Sequence, residues 1–106
     1  ISGSTCKLLE WLEEQAPNVQ IVMLTPTYAD ATKAFHNATQ MDNQCLYMPK
    51  ITERYHYPVI DIRNLHGVNK HNSERFLASD GLHGTKEFYS RLGFIIANQL
   101  KAISNK

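Results

Sequence analysis

Asp80 and His83 are the residues of this chain whose types and spacing best suit chemistry. They lie three residues apart in the glycine-rich segment Ser79–Thr85, which a helix-like run follows directly. At this spacing the carboxylate can accept the imidazole Nδ1–H, which fixes the tautomer and leaves Nε2 free as a general base. Such a pair forms two members of a Ser-His-Asp hydrolytic triad. The third member, an activated nucleophile, has no convincing counterpart in the sequence.

The other histidines and the two cysteines do not form a metal-ligand motif. His66 and His71 stand five residues apart in a polar segment, without the compact spacing of zinc ligands. We therefore predict that both are solvated loop residues, and that the chain holds no metal or other cofactor. Cys6 and Cys45 are interpreted as two small buried side chains, and a disulfide between them stays open for an exported protein.

Length and charge limit the class of protein. The chain has 106 residues, enough for one domain or part of one, and a formal net charge of +1. Because it has no basic run, neither nucleic acid nor an anionic membrane is favoured as a partner. It also lacks the run of about 20 apolar residues that a membrane span requires.

Two short apolar runs predict β-strands. Val19–Leu24 and Tyr57–Ile62 are rich in β-branched residues and nearly continuous in apolar character, which is typical of strands buried on both faces of a parallel sheet. A helix predicted over residues 44–56 connects them, with Pro49 in its first turn or at a kink. Together these elements predict a right-handed βαβ unit.

Helices are predicted at both ends of the chain. The first is capped by Ser4 or Thr5 and runs to about Gln15, with Trp11 covering the sheet or a neighbouring helix. The last follows Thr85 as its N-cap. Its apolar residues repeat at helical spacing: Phe88, Leu92, Ile95, Ile96, Leu100 and Ile103.

Two long polar stretches, residues 27–43 and 63–79, are interpreted mainly as loops. Loops at the carboxyl ends of parallel strands often line a site. Asp61 ends the second predicted strand and is interpreted as a cap of the following loop in preference to a functional group. Thr25 and Tyr28 would either line a substrate pocket or belong to a turn.

Two strands and three helices make a thin α/β domain. Parallel strands buried on both faces need more sheet beside them. We therefore expect further strands next to these, from a missing N-terminal half or from a partner chain. The chain begins with Ile1, from which we expect a processed protein or a fragment.

The order of these elements, with Asp80-Gly81-Leu82-His83 before the last helix and Gly93 ten residues after His83, resembles the C-terminal half of the SGNH hydrolases, or GDSL esterases and lipases. The resemblance covers nearly the whole chain. It implies a flavodoxin-like three-layer α/β/α fold with a parallel sheet. Residues 1–106 would then be the C-terminal part of a single domain.

The resemblance also implies roles for the pair. His83 would be the general base and Asp80 its orienting carboxylate, in a serine esterase acting on a small-molecule, carbohydrate or lipid ester. The family's Gly-Asp-Ser nucleophile block and its two oxyanion-hole blocks are absent, so a missing N-terminal part would supply them. Ser4 follows a glycine but precedes a helix, and Gly84 departs from the family's usual residue. The family leans toward an extracellular or cell-envelope location.

Two other functions remain open for this sequence. The chain could be a non-catalytic binding or structural module that keeps the fold, because no nucleophile is found. It could also be a flavodoxin-like regulatory or nucleotide-binding domain. The latter is disfavoured because no glycine-rich phosphate loop follows either predicted strand.

Overall fold

The structure, a computed structural model, describes residues 2–104, with side chains from Thr5 onward. It contains five helices and a two-stranded sheet within this range. In chain order these are α1 (Ser2–Gln15), β1 (Met23–Leu24), α2 (Phe35–Tyr55), β2 (Val59–Ile60), α3 (Ile62–His66), α4 (Ser73–Phe76) and α5 (Lys86–Ser104).

The predicted parallel pair is present, but both strands are short. β1 and β2 pair in parallel, with Met23 opposite Val59 and Leu24 opposite Ile60. α2 connects them, which confirms the βαβ order. Burial on both faces was the wrong expectation for these residues, because Leu24 is 43% and Val19 63% exposed. Each strand has a single hydrogen-bonded neighbour among residues 2–104, which leaves the other side of the ladder open.

α2 is longer than the sequence indicates. It begins at Phe35, inside the stretch interpreted as a loop, and ends at Tyr55, with His56 in a left-handed conformation as its C-cap. The first turns carry mostly polar residues, and Phe35 itself is 72% exposed, so the amphipathic signal there is faint. Pro49 lies inside the helix, where it removes one i to i−4 hydrogen bond.

Two small apolar clusters hold the elements together. The first joins α1, β1 and α2 through Leu9, Met23 and Ile51. The second joins α4 and α5 and the segments beside them through Val68, Phe76, Leu77 and Phe88. Trp11 belongs to neither and is 57% exposed, so the prediction that it covers the sheet or a helix is wrong within the described residues. Leu9, on another face of α1, is the residue that is buried against the sheet and α2.

The stretch of residues 63–79 also contains more helix than predicted. α3 and α4 are single short helices there, and α3 packs along α5. α5 begins directly after Thr85, whose Oγ1 accepts the Phe88 N–H at 3.4 Å, so the predicted N-cap is confirmed. Among residues 2–104 no helix is both long enough and apolar enough to cross a membrane.

Candidate active site

The Asp80–His83 turn is a closed loop between α4 and α5. Leu77 and Gly84 form an antiparallel bridge across its base. The Ala78 N–H donates to the His83 carbonyl at 2.7 Å, and the Gly81 N–H donates to the Ala78 carbonyl at 2.9 Å. Backbone hydrogen bonds therefore fix the turn at both ends, so its side chains have a defined geometry.

Within the turn, the Asp80 carboxylate accepts three hydrogen bonds. Oδ1 accepts the backbone N–H groups of Leu82 and His83 at 2.9 and 3.0 Å. Oδ2 lies 2.5 Å from His83 Nδ1. The hydrogen bond from His83, followed by those from the backbone, lowers the pKa of Asp80 to about 2. A charged acceptor makes Nδ1 the protonated ring nitrogen, so Nε2 is the nitrogen that can take a proton.

The pair is open to solvent in the described part of the chain. The side chain of His83 is 71% exposed and that of Asp80 is 48% exposed. A reacting group from outside residues 2–104 can therefore approach the ring. The geometry that the Asp-x-x-His spacing predicts is present, namely a carboxylate on Nδ1 and an accessible ring.

The loop after β1 anchors the turn from one side. Gly81 has φ of +72°, a conformation that side chains rarely adopt. An added Cβ there would lie 2.8 Å from Lys33 Cβ and 3.0 Å from Asp30 Cβ. The Asp30 N–H donates to the Gly81 carbonyl at 2.8 Å. Glycine is thus required by both backbone conformation and close approach, and the contact brings two loops distant in sequence together.

The start of α5 supports the turn from below. An added Cβ at Gly84 would lie 2.2 Å from Phe88 Cδ1, so only glycine fits against that ring. The Gly84 N–H also donates to the Tyr89 hydroxyl at 3.3 Å. Glycine at position 84 therefore has a packing reason in this chain.

The other polar residues at the strand ends do not join the pair. Asp61 accepts the Asn64 backbone N–H at 3.4 Å as the N-cap of α3, which confirms the capping interpretation. Thr25 Oγ1 donates to Asp61 at 3.4 Å and accepts the Arg63 N–H at 3.2 Å. Both Thr25 and Asp61 line a cavity of about 510 Å³ beside α2, whose described lining includes no residue of the Asp80–His83 turn. Tyr28 packs against the second apolar cluster.

His66 was wrongly predicted to be a solvated loop residue. It is the last residue of α3 and is 1% exposed, whereas His71 is exposed. A signal was available in the sequence, because Ile62 and His66 are four residues apart, which places them on one helical face before Gly67. No group of three or more histidine, cysteine or acidic side chains meets at a common point among residues 2–104. Cys6 and Cys45 are partly buried and free.

Comparisons with known proteins find solved structures with a similar fold. No family model matches the sequence, and no curated protein matches it. The lipase/acylhydrolase from Enterococcus faecalis is similar in structure, with a TM-score of 0.74 and 23% identity over 96% of this chain and 52% of that one. The esterase domain of the ZfL2-1 ORF1 protein from the zebrafish ZfL2-1 retrotransposon has a TM-score of 0.75 and 15% identity, over 94% and 56%.

These likenesses agree with part of an α/β fold that contains a small parallel sheet. At such low identity they concern the fold. The chain spans about half the length of the solved structures it matches.

Proposed function

We propose that this chain is the C-terminal part of an SGNH-type serine ester hydrolase domain. In this proposal His83 is the general base and Asp80 orients it. The observation that carries the proposal is the 2.5 Å contact between His83 Nδ1 and Asp80 Oδ2 in a turn that leaves the ring exposed. The likeness of the fold to a lipase/acylhydrolase and an esterase domain supports the same reaction class.

The remaining part of the domain would supply the nucleophile and the oxyanion hole. The exposed side chain of Leu24 and the single neighbour of β1 are consistent with further parallel strands beside it. With those strands the sheet would lie between two helical layers, as in the predicted three-layer fold. Residues 1–106 would then form one half of a single domain, completed by the same polypeptide or by a partner chain.

The reaction follows from the protonation states of the pair. As the serine Oγ attacks the ester carbonyl carbon, its proton passes to His83 Nε2 and the carbonyl electron pair moves onto oxygen. Collapse of this intermediate breaks the bond to the alcohol oxygen, which takes the proton from the imidazolium. Water then repeats both steps on the acyl-serine and releases the acid. Asp80, whose pKa is about 2, stays charged throughout and stabilises the imidazolium.

Substrate choice would depend on contacts outside the pair, since the two residues act on any ester carbonyl. A panel of p-nitrophenyl esters of increasing acyl length, an acetylated sugar and a phospholipid separates small-molecule, carbohydrate and lipid ester hydrolysis. The ester with the highest kcat/KM in this panel identifies the acyl or alcohol group that the complete pocket accommodates.

Hydrolysis of p-nitrophenyl acetate by the full-length protein tests the proposal. His83→Ala should lower kcat by about 10³-fold or more, because it removes the proton acceptor of the serine. His36→Gln, which changes an exposed histidine of α2, is the matched control and should keep normal turnover. Unchanged turnover in His83→Ala would contradict the proposal, whereas absence of turnover in the wild type would favour a non-catalytic module in which Asp80 only caps the turn.

A further inference from the structure

His66 is a buried histidine that the proposed reaction does not use. Its side chain is 1% exposed, and its Nε2 lies 3.0 Å from the Phe88 carbonyl oxygen. Because a carbonyl can only accept, Nε2 carries the proton of this hydrogen bond. Nδ1 is buried and finds no hydrogen-bond partner among the residues that the structure describes. His66 therefore interacts with its surroundings through the Nε2–H donor and through the face and edge of its ring.

His66 holds Phe88 at two points. Besides the hydrogen bond to the carbonyl, the two rings meet edge to face, with centroids 4.4 Å apart and an interplanar angle of 76°. The centroid of the Phe76 ring also lies 6.3 Å from that of the imidazole, with an interplanar angle of 55°. Edge-to-face aromatic pairs have a preferred orientation, so this contact fixes the tilt of the Phe88 ring as well as its position.

Phe88 in turn sets the backbone next to the general base. Its ring fills the space that a Cβ of Gly84 would occupy, at 2.2 Å, and Gly84 follows His83 directly. Its N–H donates to Thr85 Oγ1, the cap that ends the turn. A shift of the Phe88 ring would therefore move the backbone that carries the imidazole.

We propose that His66 is a positioning residue for the His83 general base, acting through Phe88 and the Gly84 backbone. The inference rests on the proposed function for its catalytic meaning. The mechanical part, that His66 sets the Asp80–His83 geometry, can be measured without turnover. Neither the Asp-x-x-His spacing nor the chemistry of the triad assigns this role.

The groups that face His66 keep it neutral. Burial lowers the pKa of His66, the hydrogen bond to Phe88 opposes this, and the Arg91 cation of α5 adds to the lowering. From α4, Arg75 lies over the Phe76 ring at 5.1 Å and is paired with Glu87. Protonation would place a cation beside Arg91 with no acceptor for Nδ1. Nε2 carries a proton in the neutral ring, so the donor to Phe88 is present at neutral pH.

Three variants of the full-length protein separate the two contacts. His66→Phe keeps an aromatic ring and loses the donor, whereas His66→Gln keeps an N–H donor and loses the ring. Phe88→Leu removes the link to Gly84 and leaves His66 in place. His36→Gln again controls for the loss of a histidine.

The readout is the Asp80–His83 hydrogen bond itself, observed by NMR titration of carboxyl carbons and of histidine ring nitrogens. We expect His66→Phe and Phe88→Leu to raise the pKa of Asp80 from about 2 toward the ordinary aspartate value, and to reduce the fraction of His83 protonated on Nδ1. Because it keeps an N–H donor, His66→Gln should show a pKa of Asp80 and a His83 tautomer closer to those of the wild type than His66→Phe does. In turnover, kcat should fall by about 10- to 100-fold with little change in KM.

An unchanged pKa of Asp80 and an unchanged His83 tautomer in folded Phe88→Leu would overturn the inference. This variant decides the matter if His66→Phe fails to fold. If the NMR signals move while His83→Ala retains full turnover, the positioning role stands and the proposed esterase function falls. If His83→Ala is inactive and the NMR signals do not move, the reverse holds.

Discussion

At the scale of single residues, the candidate site depends on the charge of one carboxylate. The His83 hydrogen bond and two backbone N–H groups lower the pKa of Asp80 to about 2. The carboxylate is therefore ionised throughout the pH range in which a histidine can accept a proton. An ionised acceptor on Nδ1 is what keeps Nε2 available, so the role of His83 depends on its neighbour three residues before it.

Asp80→Asn tests this dependence. The amide can still accept the backbone N–H groups, but it no longer favours the required histidine tautomer or the imidazolium. We expect kcat for ester hydrolysis by the full-length protein to fall by about 10³- to 10⁴-fold. Glu14→Gln, an exposed carboxylate on α1, is the matched control. Retention of wild-type kcat in Asp80→Asn would argue against an orienting role.

The same substitution makes a prediction about acid stability. Because folding lowers the pKa of Asp80, its contribution to the free energy of unfolding is fully present above the ordinary aspartate value of 3.8 and is lost as the pH falls through about 2. Denaturant unfolding between pH 5 and 2 should therefore show a smaller loss of stability in Asp80→Asn than in the wild type. Parallel loss in both proteins would show that the bond to His83 does not form.

At the scale of elements, local sequence pattern predicted what local interactions determine. The C-terminal end of α1, the start of α5, the Thr85 cap and the Asp80–His83 contact all depend on neighbours a few residues apart. The composition of each strand predicted the parallel pair, although paired residues such as Met23 and Val59 lie far apart in sequence. The predicted cap of the first helix was wrong, because α1 begins at Ser2, before Ser4 and Thr5. The sequence did not predict the early start of α2, because the first turns of this helix have a polar, exposed surface. The burial of His66 was not predicted, because it depends on α5, which lies more than twenty residues further along the chain.

The contacts that hold the Asp80–His83 turn could not be predicted from local sequence patterns either. The contact of Gly81 with Asp30 and Lys33 joins loops that are about fifty residues apart in sequence. Nothing in the spacing of Asp80 and His83 predicts which loop will lie against them. The contact between Asp80 and His83 could thus be predicted from the sequence. The elements that hold this turn could not, since tertiary packing brings them together.

Two glycines of the same region test the role of Phe88 in packing. Gly84→Ala would place Cβ 2.2 Å from Phe88 Cδ1, whereas Cβ at Gly93 would meet nothing within 4 Å. We expect Gly84→Ala to lower the free energy of unfolding by about 1–3 kcal/mol through overpacking. Gly93→Ala, inside α5, should raise it by about 0.5–1 kcal/mol. Urea unfolding of the full-length variants measures both, and equal effects would contradict the packing of Phe88 under the turn.

At the scale of the whole molecule, the chain is more expanded than a compact domain of its length. Its radius of gyration is 15.0 Å, compared with about 13 Å for a compact domain of 100 residues. Large apolar side chains are exposed on several elements: Leu8, Trp11, Leu24, Phe35, Leu46 and Phe94. An expanded shape and exposed apolar surface both agree with the proposal that the described residues are one half of a larger sheet.

The most direct test of the central claim is labelling of the full-length protein with a fluorophosphonate probe, followed by mass spectrometry of the modified peptide. The proposal predicts one modified serine outside these 106 residues, and strong loss of labelling in His83→Ala but not in His36→Gln. Absence of labelling in the wild type, or equal labelling in His83→Ala, would contradict the assignment of His83 as the general base of a serine esterase.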